Sequence, residues 1–297
     1  MSRLTRVALA SGVELDVWDE GPRDAPVLIF LHGFPENHRA WRHQVAHLSD
    51  RFRCIAPDQR GYGNSSRPEG VENYAYELLV GDVFALAAAL GVERFPVLGH
   101  DWGGAVAWGV AAMGQATGQV DRLVIANAPH PVVFQRLLHK DAGQRAASQY
   151  MRAFRDPGNE ALVREGGLAP LLMHALDWTE RPQYEAAEQK LLIEQWSDPD
   201  RAMAMLNWYR ASTVTVPAPD DPVGLPEGYT DPPMPVLTIP TLVVWGMGDE
   251  ALKPGNIAGL DAQVEDLTLE QIASAGHFVP WEAPDAVNAA LDRFLAA

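Results

Sequence analysis

Val97-Leu98-Gly99-His100-Asp101-Trp102-Gly103-Gly104-Ala105 decides how the rest of this chain is read. Phe95 to Leu98 is a short apolar run with the character of a buried strand, and the small, nearly uncharged residues from Gly103 to Gly118 have that of a helix. Between them Gly-His-Asp-Trp-Gly has the form glycine, any residue, nucleophile, any residue, glycine. That is a sharp strand-to-helix turn lifting one side chain above the edge of a sheet. Gly99, Gly103 and Gly104 suit a strained turn and close helix packing. The lifted residue is Asp101. A serine there suits attack on an acyl carbonyl; on saturated carbon it would leave an ether that water does not readily cleave. A carboxylate attacking saturated carbon leaves an ester, whose own carbonyl water then attacks. Asp101 therefore points to carbon bearing a leaving group, such as an epoxide or a halide. An ordinary strand, turn and helix carrying an aspartate satisfies the same residues.

Composition narrows the setting. The chain has 297 residues, 47% of them hydrophobic, enough for one large core and an insertion. A net charge of −16 speaks against nucleic acid or an anionic membrane as partner. The single cysteine, Cys54, lies in an apolar strand-like run, which excludes a disulfide framework and fits a reducing compartment. Met1 to Arg6 lacks the apolar region of a signal peptide, and no stretch is long and apolar enough to span a membrane, so the expected location is cytoplasmic.

Outward from the turn, Val7–Ala10 and Val13–Val17 flank a Ser11-Gly12 hairpin turn, and Val27–Leu31 is a continuous apolar strand of the kind buried on both faces of a parallel sheet. A helix over about Arg39–Leu48, a strand at Cys54–Pro57, a polar turn at Asp58–Ser65 and a helix over Tyr74–Leu90 follow, and Leu123–Ala126 succeeds the Asp101 helix. Strands alternating with helices imply right-handed crossovers and an α/β architecture with a mostly parallel sheet. From about Pro131 to Val236 the pattern is helical with no convincing core strand, and Pro217–Pro240 holds eight prolines. Strand patterns resume at Thr241–Trp245 and Asp266–Ile272, before a closing helix near Ala283–Leu295. The expected organisation is a core of residues 1–130 and 237–297 interrupted by a helical cap, or lid, at 131–236. His43 and His47 sit one helical turn apart without the glutamate of an H-E-x-x-H pattern and read as a surface pair. No metal site and no cofactor is expected.

Asp101 needs partners. Trp245-Gly246-Met247-Gly248-Asp249-Glu250 follows a strand and places Asp249 at the carboxyl edge of the sheet, where functional groups gather; Gly276-His277-Phe278 follows the last strand to the same edge. The order nucleophile, acid, histidine is that of hydrolases built on this turn. His277 would take a proton from water while Asp249 fixes its tautomer, with Glu250 as competitor for the acid role. The loop His32-Gly33-Phe34-Pro35 supplies an oxyanion site, with the backbone N–H groups of Phe34 and Trp102 as donors; a plain Gly-Pro turn fits the same residues.

Together these residues resemble the α/β-hydrolase-fold epoxide hydrolases over essentially the whole chain. His32-Gly33-Phe34-Pro35, Arg60-Gly61-Tyr62-Gly63, Gly99-His100-Asp101-Trp102-Gly103-Gly104, Asp249 and Gly276-His277 fall where that family has them, though the first motifs are shared with dehalogenases. Asn207-Trp208-Tyr209-Arg210 resembles the family's second cap motif, and Tyr150, ahead of Phe154-Arg155-Asp156-Pro157-Gly158, matches its first cap tyrosine. The resemblance implies an eight-stranded sheet with an inserted helical cap, and a small apolar epoxide opened to a vicinal diol through an aspartyl ester. Paired phenols make chemical sense there, because the ring oxygen leaves as a strong base that needs a proton, whereas a halide needs only donors.

Alternatives stay open. Trp102 is shared with haloalkane dehalogenases, where it binds halide, while fluoroacetate dehalogenases place Arg after the nucleophile and a His-Trp pair where Gln149-Tyr150 stands. A non-catalytic small-molecule receptor on the same fold is a second alternative. Phe34, Trp102, Trp208 and Phe278 are the leading pocket candidates, with Phe134, Met173 and Trp178 behind them. Monomer and homodimer fit the sequence equally.

Overall fold

The computed structural model describes residues 4–176 and 185–296. Alternate residues of each central strand face opposite ways, and both faces are apolar. Along β3 (Val27–Leu31), Leu28 and Phe30 pack with Trp41, Val45, Leu291 and Phe294. Ile29 and Leu31 pack instead with Val106 and Trp108 on the other face. A strand buried on both sides reads as an unbroken apolar run, which is why this segment was legible. The sheet has eight strands in the order β1-β2-β4-β3-β5-β6-β7-β8. β1 (Leu4–Ala8) and β2 (Glu14–Glu20) form the hairpin, with Gly12 in the left-handed region at φ +82°. β2 runs antiparallel to both β1 and β4 (Arg53–Pro57); all other pairings are parallel.

α1 (Arg42–Leu48), which follows a 3₁₀ turn at His38–Trp41, and the carboxyl-terminal α12 (Pro284–Ala296) cover one face. α2 (Tyr76–Ala89) and α3 (Asp101–Thr117) cover the other. The strand before Asp101 is β5, Val97–His100, and begins two residues later than the apolar run. Pro96 has no N–H to give a ladder, so pairing starts at Val97. β6 (Leu123–Ala126), β7 (Thr241–Gly246) and β8 (Leu267–Ile272) complete the parallel part, and a short α11 (Val279–Glu282) follows β8.

Helices fill the chain between β6 and β7: α4 (Pro131–Lys140), α5 (Ala142–Ala147), α6 (Gln149–Arg155), α7 (Pro157–Gly166), α8 (Ala169–Leu176), α9 (Ala186–Ser197) and α10 (Pro199–Ala211). His130-Pro131, Asp156-Pro157 and Asp198-Pro199 open three of them alike. In each, a side chain accepts a free N–H of the first turn while the proline occupies a position that needs no donor. The proline-rich stretch before β7 is irregular apart from a bridge of Leu237 to Val264. α9 is fastened to the loop after β3: Trp196 Nε1 donates to the Pro35 carbonyl at 2.6 Å and Gln195 Nε2 to that of Glu36 at 3.2 Å. Among the described residues no helix is long and apolar enough to cross a membrane.

Candidate active site

Six parallel strands end on one edge, and the residues just past five of them, β3, β5, β6, β7 and β8, converge. α3 begins at Asp101 itself, with no intervening loop, earlier than the sequence reading placed it. Asp101 holds φ +50°, a left-handed conformation that costs a non-glycine residue energy and is kept only where packing over-determines it. The packing is visible at Gly103, where an added Cβ would run into the carbonyl oxygens of Leu31 and His32. Small residues thus let α3 press against the end of β3, and the sharp strand-to-helix turn at Asp101 follows.

The Phe34 main-chain N–H donates to Asp101 Oδ1 at 2.7 Å. On the other oxygen, Oδ2, His277 Nε2 lies 3.5 Å away. His277 Nδ1 and Asp249 Oδ2 are 2.8 Å apart, while Glu250 is exposed. Asp249 is fixed from three sides: Oδ1 accepts the N–H groups of Ala251 and Leu252 at 2.9 and 2.8 Å, and Oδ2 accepts Asn127 Nδ2 at 2.8 Å. Burial opposes its charge, but His277 and these donors outweigh burial and hold the carboxyl below the usual range. For His277 burial opposes the charged ring, yet the Asp249 and Asp101 carboxylates prevail and raise it well above the usual histidine range. His100, wholly buried, puts Nε2 2.8 Å from the His277 carbonyl. A carbonyl only accepts, so that nitrogen carries the proton and His100 braces the loop of His277.

The helical insertion brings two phenols to this edge. Tyr150 on α6 and Tyr209 on α10 have ring centroids 5.9 Å apart, with the two rings edge to face. Burial, followed by the charges of Asp101 and Asp249, pushes the Tyr150 phenol far up; burial, Tyr150 and Asp101 do the same to Tyr209. Both are therefore neutral O–H donors. Trp102, half-buried, and Phe34 each meet the Tyr209 ring edge-on at 5.1 Å.

The remaining pocket candidates divide. Trp208 lies behind Trp102, with its indole N–H given to the Arg60 carbonyl at 2.9 Å. Phe278 stacks on Trp281 at 5.2 Å and abuts His277 at 4.9 Å. These two pack against Trp102 and His277 respectively. Phe134 is core, Met173 is exposed, and Trp178 lies outside the described residues. Sequence reasoning missed Phe154, whose ring touches Phe34, Tyr150 and Tyr209 at 5.5, 5.7 and 5.0 Å. It also missed Asn127, although the rule that function gathers at strand carboxyl ends applies to β6 as it does to β7. No group of three His, Cys, Asp or Glu residues able to hold a metal occurs among the described residues. His47 Nε2 sits 2.8 Å from Asp292, a surface pair.

The α/β hydrolase fold family matches residues 26–284, so this chain belongs to that family. The AB hydrolase superfamily protein YfhM of Bacillus subtilis (strain 168) is 33% identical, over 96% of this chain and 95% of that protein. A solved structure described under novel epoxide hydrolases in metagenomes from hot environments is 56% identical, with TM-score 0.96, covering 100% of this chain and 99% of the other. Epoxide hydrolase A of Mycobacterium tuberculosis (strain ATCC 25618 / H37Rv) is 29% identical over 98% of this chain and 96% of its own length.

Proposed function

We propose that this chain is an epoxide hydrolase that opens a small apolar epoxide to a vicinal diol, with the helices of residues 131–236 acting as a cap over the site. The observation that carries this reading is the placing of two neutral phenols, Tyr150 and Tyr209, together at the edge where Asp101 meets Phe34 N–H and His277. The epoxide hydrolase relatives support it.

In this reading Asp101 Oδ2 attacks a ring carbon as the carbon–oxygen bond breaks, and the ring oxygen takes a proton from a phenol. Oδ1, already held by Phe34 N–H, becomes the ester carbonyl. Esterification removes one of the two carboxylates that keep His277 charged. The proton His277 then releases restores the phenol, leaving a neutral base. Water attacks the ester carbonyl carbon and gives its proton to His277 Nε2, while negative charge gathers on Oδ1 at the oxyanion site. The tetrahedral centre collapses, the bond from the carbonyl carbon to Oδ2 breaks, and that oxygen leaves in the diol with the proton from His277. The carboxylic acid regenerated at Asp101 returns its proton to His277.

His277→Gln keeps the nucleophile and removes the base, so exposure to styrene oxide should leave a stable adduct on Asp101, seen by peptide mass spectrometry. A folded variant of an active enzyme that shows no adduct would sink the covalent route. Halide release from short haloalkanes, without diol from epoxides, would assign the site to dehalogenation.

A further inference from the structure

The last residue of α6 holds a charge that no carboxylate among the described residues pairs with. Arg155 Nε donates to the Tyr209 carbonyl at 2.8 Å and one terminal nitrogen to the Val214 carbonyl at 2.6 Å. The other terminal nitrogen, Nη2, is buried and meets no acceptor among the described residues. No carboxylate pairs with Arg155 among the described residues, whereas Arg210 on α10 is neutralised by Glu160 at 2.7 Å. A guanidinium stays protonated even when partly buried, so this one is a fixed positive charge in a poorly solvated place.

Its position has two consequences. The carbonyl of Tyr209 belongs to the last turn of α10, where it also accepts the Ser212 N–H at 3.3 Å and the helix dipole favours a cation. By holding that carbonyl from the end of α6, Arg155 ties the helix of Tyr150 to that of Tyr209. The phenols also lie in its field. They face Asp101, Asp249, Tyr62 and Trp102 from the core side, two negative charges of which His277, bound to both carboxylates, offsets one when protonated. From the insertion the charge that faces them is Arg155, with Arg152 and Asp156 further out on the same helix end.

We propose that Arg155 is a positioning residue for ring opening: its fork sets the spacing of Tyr150 and Tyr209, and its unneutralised charge steadies the negative charge the phenols take on as they give up a proton. The catalytic part of this inference rests on the epoxide hydrolase reading; the electrostatic part does not.

The test compares Arg155→Gln and Arg155→Lys with Arg152→Gln, which removes another side chain that holds a carbonyl, that of Val216 at 3.0 Å, on the same helix. Polyfluorinated tyrosine at position 150, whose phenol titrates within reach, is followed by fluorine NMR in each protein. The midpoint should rise by about one pH unit or more in Arg155→Gln, as expected for loss of a nearby opposite charge, and stay near wild type in Arg155→Lys and Arg152→Gln. Turnover of styrene oxide by Arg155→Gln, with natural tyrosine, should fall about tenfold, the rate equivalent of one such unit. An unmoved midpoint in folded Arg155→Gln overturns the proposal, as does an equal rise in Arg152→Gln. If Arg155→Gln does not fold, Arg155→Lys decides: a midpoint near wild type supports the charge, and a rise of about one unit overturns it. A midpoint that rises in a protein with no epoxide turnover at all would uphold the electrostatic role and refute the epoxide hydrolase reading.

Discussion

The two oxygens of Asp101 are unlike: Oδ1 is held at 2.7 Å by the backbone of Phe34, and Oδ2 looks toward His277. That asymmetry assigns each oxygen a separate part in the proposed two steps. It depends on Gly33, because a Cβ there would overlap Asp101 Cβ and Oδ1. Gly33→Ala should displace the carboxylate from the Phe34 donor and lower turnover by about a hundredfold, the range for loss of one oxyanion donor. Comparable turnover in a folded variant, measured by diol formation, would show that the donor is not needed.

Asn127 donates to Asp249 Oδ2 and to the Gly246 carbonyl, and accepts the Gly246 N–H at 2.7 Å. Asn127→Ala leaves the Gly246 N–H buried and unpaired, which costs about 1–3 kcal/mol. It also removes a donor that stabilises the charged carboxylate, so the acidic limb of the activity profile should move to higher pH. Urea unfolding and a pH–rate series measure the two effects separately. An unshifted limb would reduce Asn127 to a structural role.

His130 caps α4 by accepting the Val132 N–H on Nδ1 at 3.3 Å, in complete burial. Burial pulls its pKa down from 6.5 to about 4. The unfolded chain therefore binds a proton more readily than the folded one. This contribution is fully present above about pH 6.5 and is lost as pH falls toward 4, amounting to about 3 kcal/mol over the whole window. The difference in urea stability between about pH 7.5 and pH 5 should shrink in His130→Asn, which keeps a capping oxygen but does not titrate. An unchanged pH dependence would place the acid sensitivity elsewhere, with buried His32 the next residue to test.

Much of this arrangement can be read along the chain because local chemistry dictates it. Val27–Leu31 and Leu123–Ala126 are apolar on both faces and coincide with β3 and β6 residue for residue. Asp101, Asp249 and His277 stand just past strands and meet at one edge, so locating the strands located them. Other contacts depend on packing between elements far apart in sequence. Phe154 is an unremarkable aromatic until α6 lies over Phe34, more than a hundred positions away. Arg155 was visible as a letter in the Phe-Arg-Asp-Pro-Gly stretch, but its bond to the Tyr209 carbonyl belongs to the crossing of two helices. Trp208 carried a pocket expectation from its motif; its indole N–H had a buried partner in Arg60 that no sequence pattern announces.

Trp196 and Gln195 hang α9 on the carbonyls of Pro35 and Glu36, the residues directly after Phe34. Any movement that lifts α9 must pull on the segment whose N–H grips Asp101. In the proposed reading shutter and trigger share one linkage: a molecule swung open along this helix is also disarmed, and water entering then meets an Asp101 ester that the Phe34 N–H no longer polarises. On that reading, passage of substrate and product without loss of the grip is left to those parts of the helical insertion that do not bear on that loop.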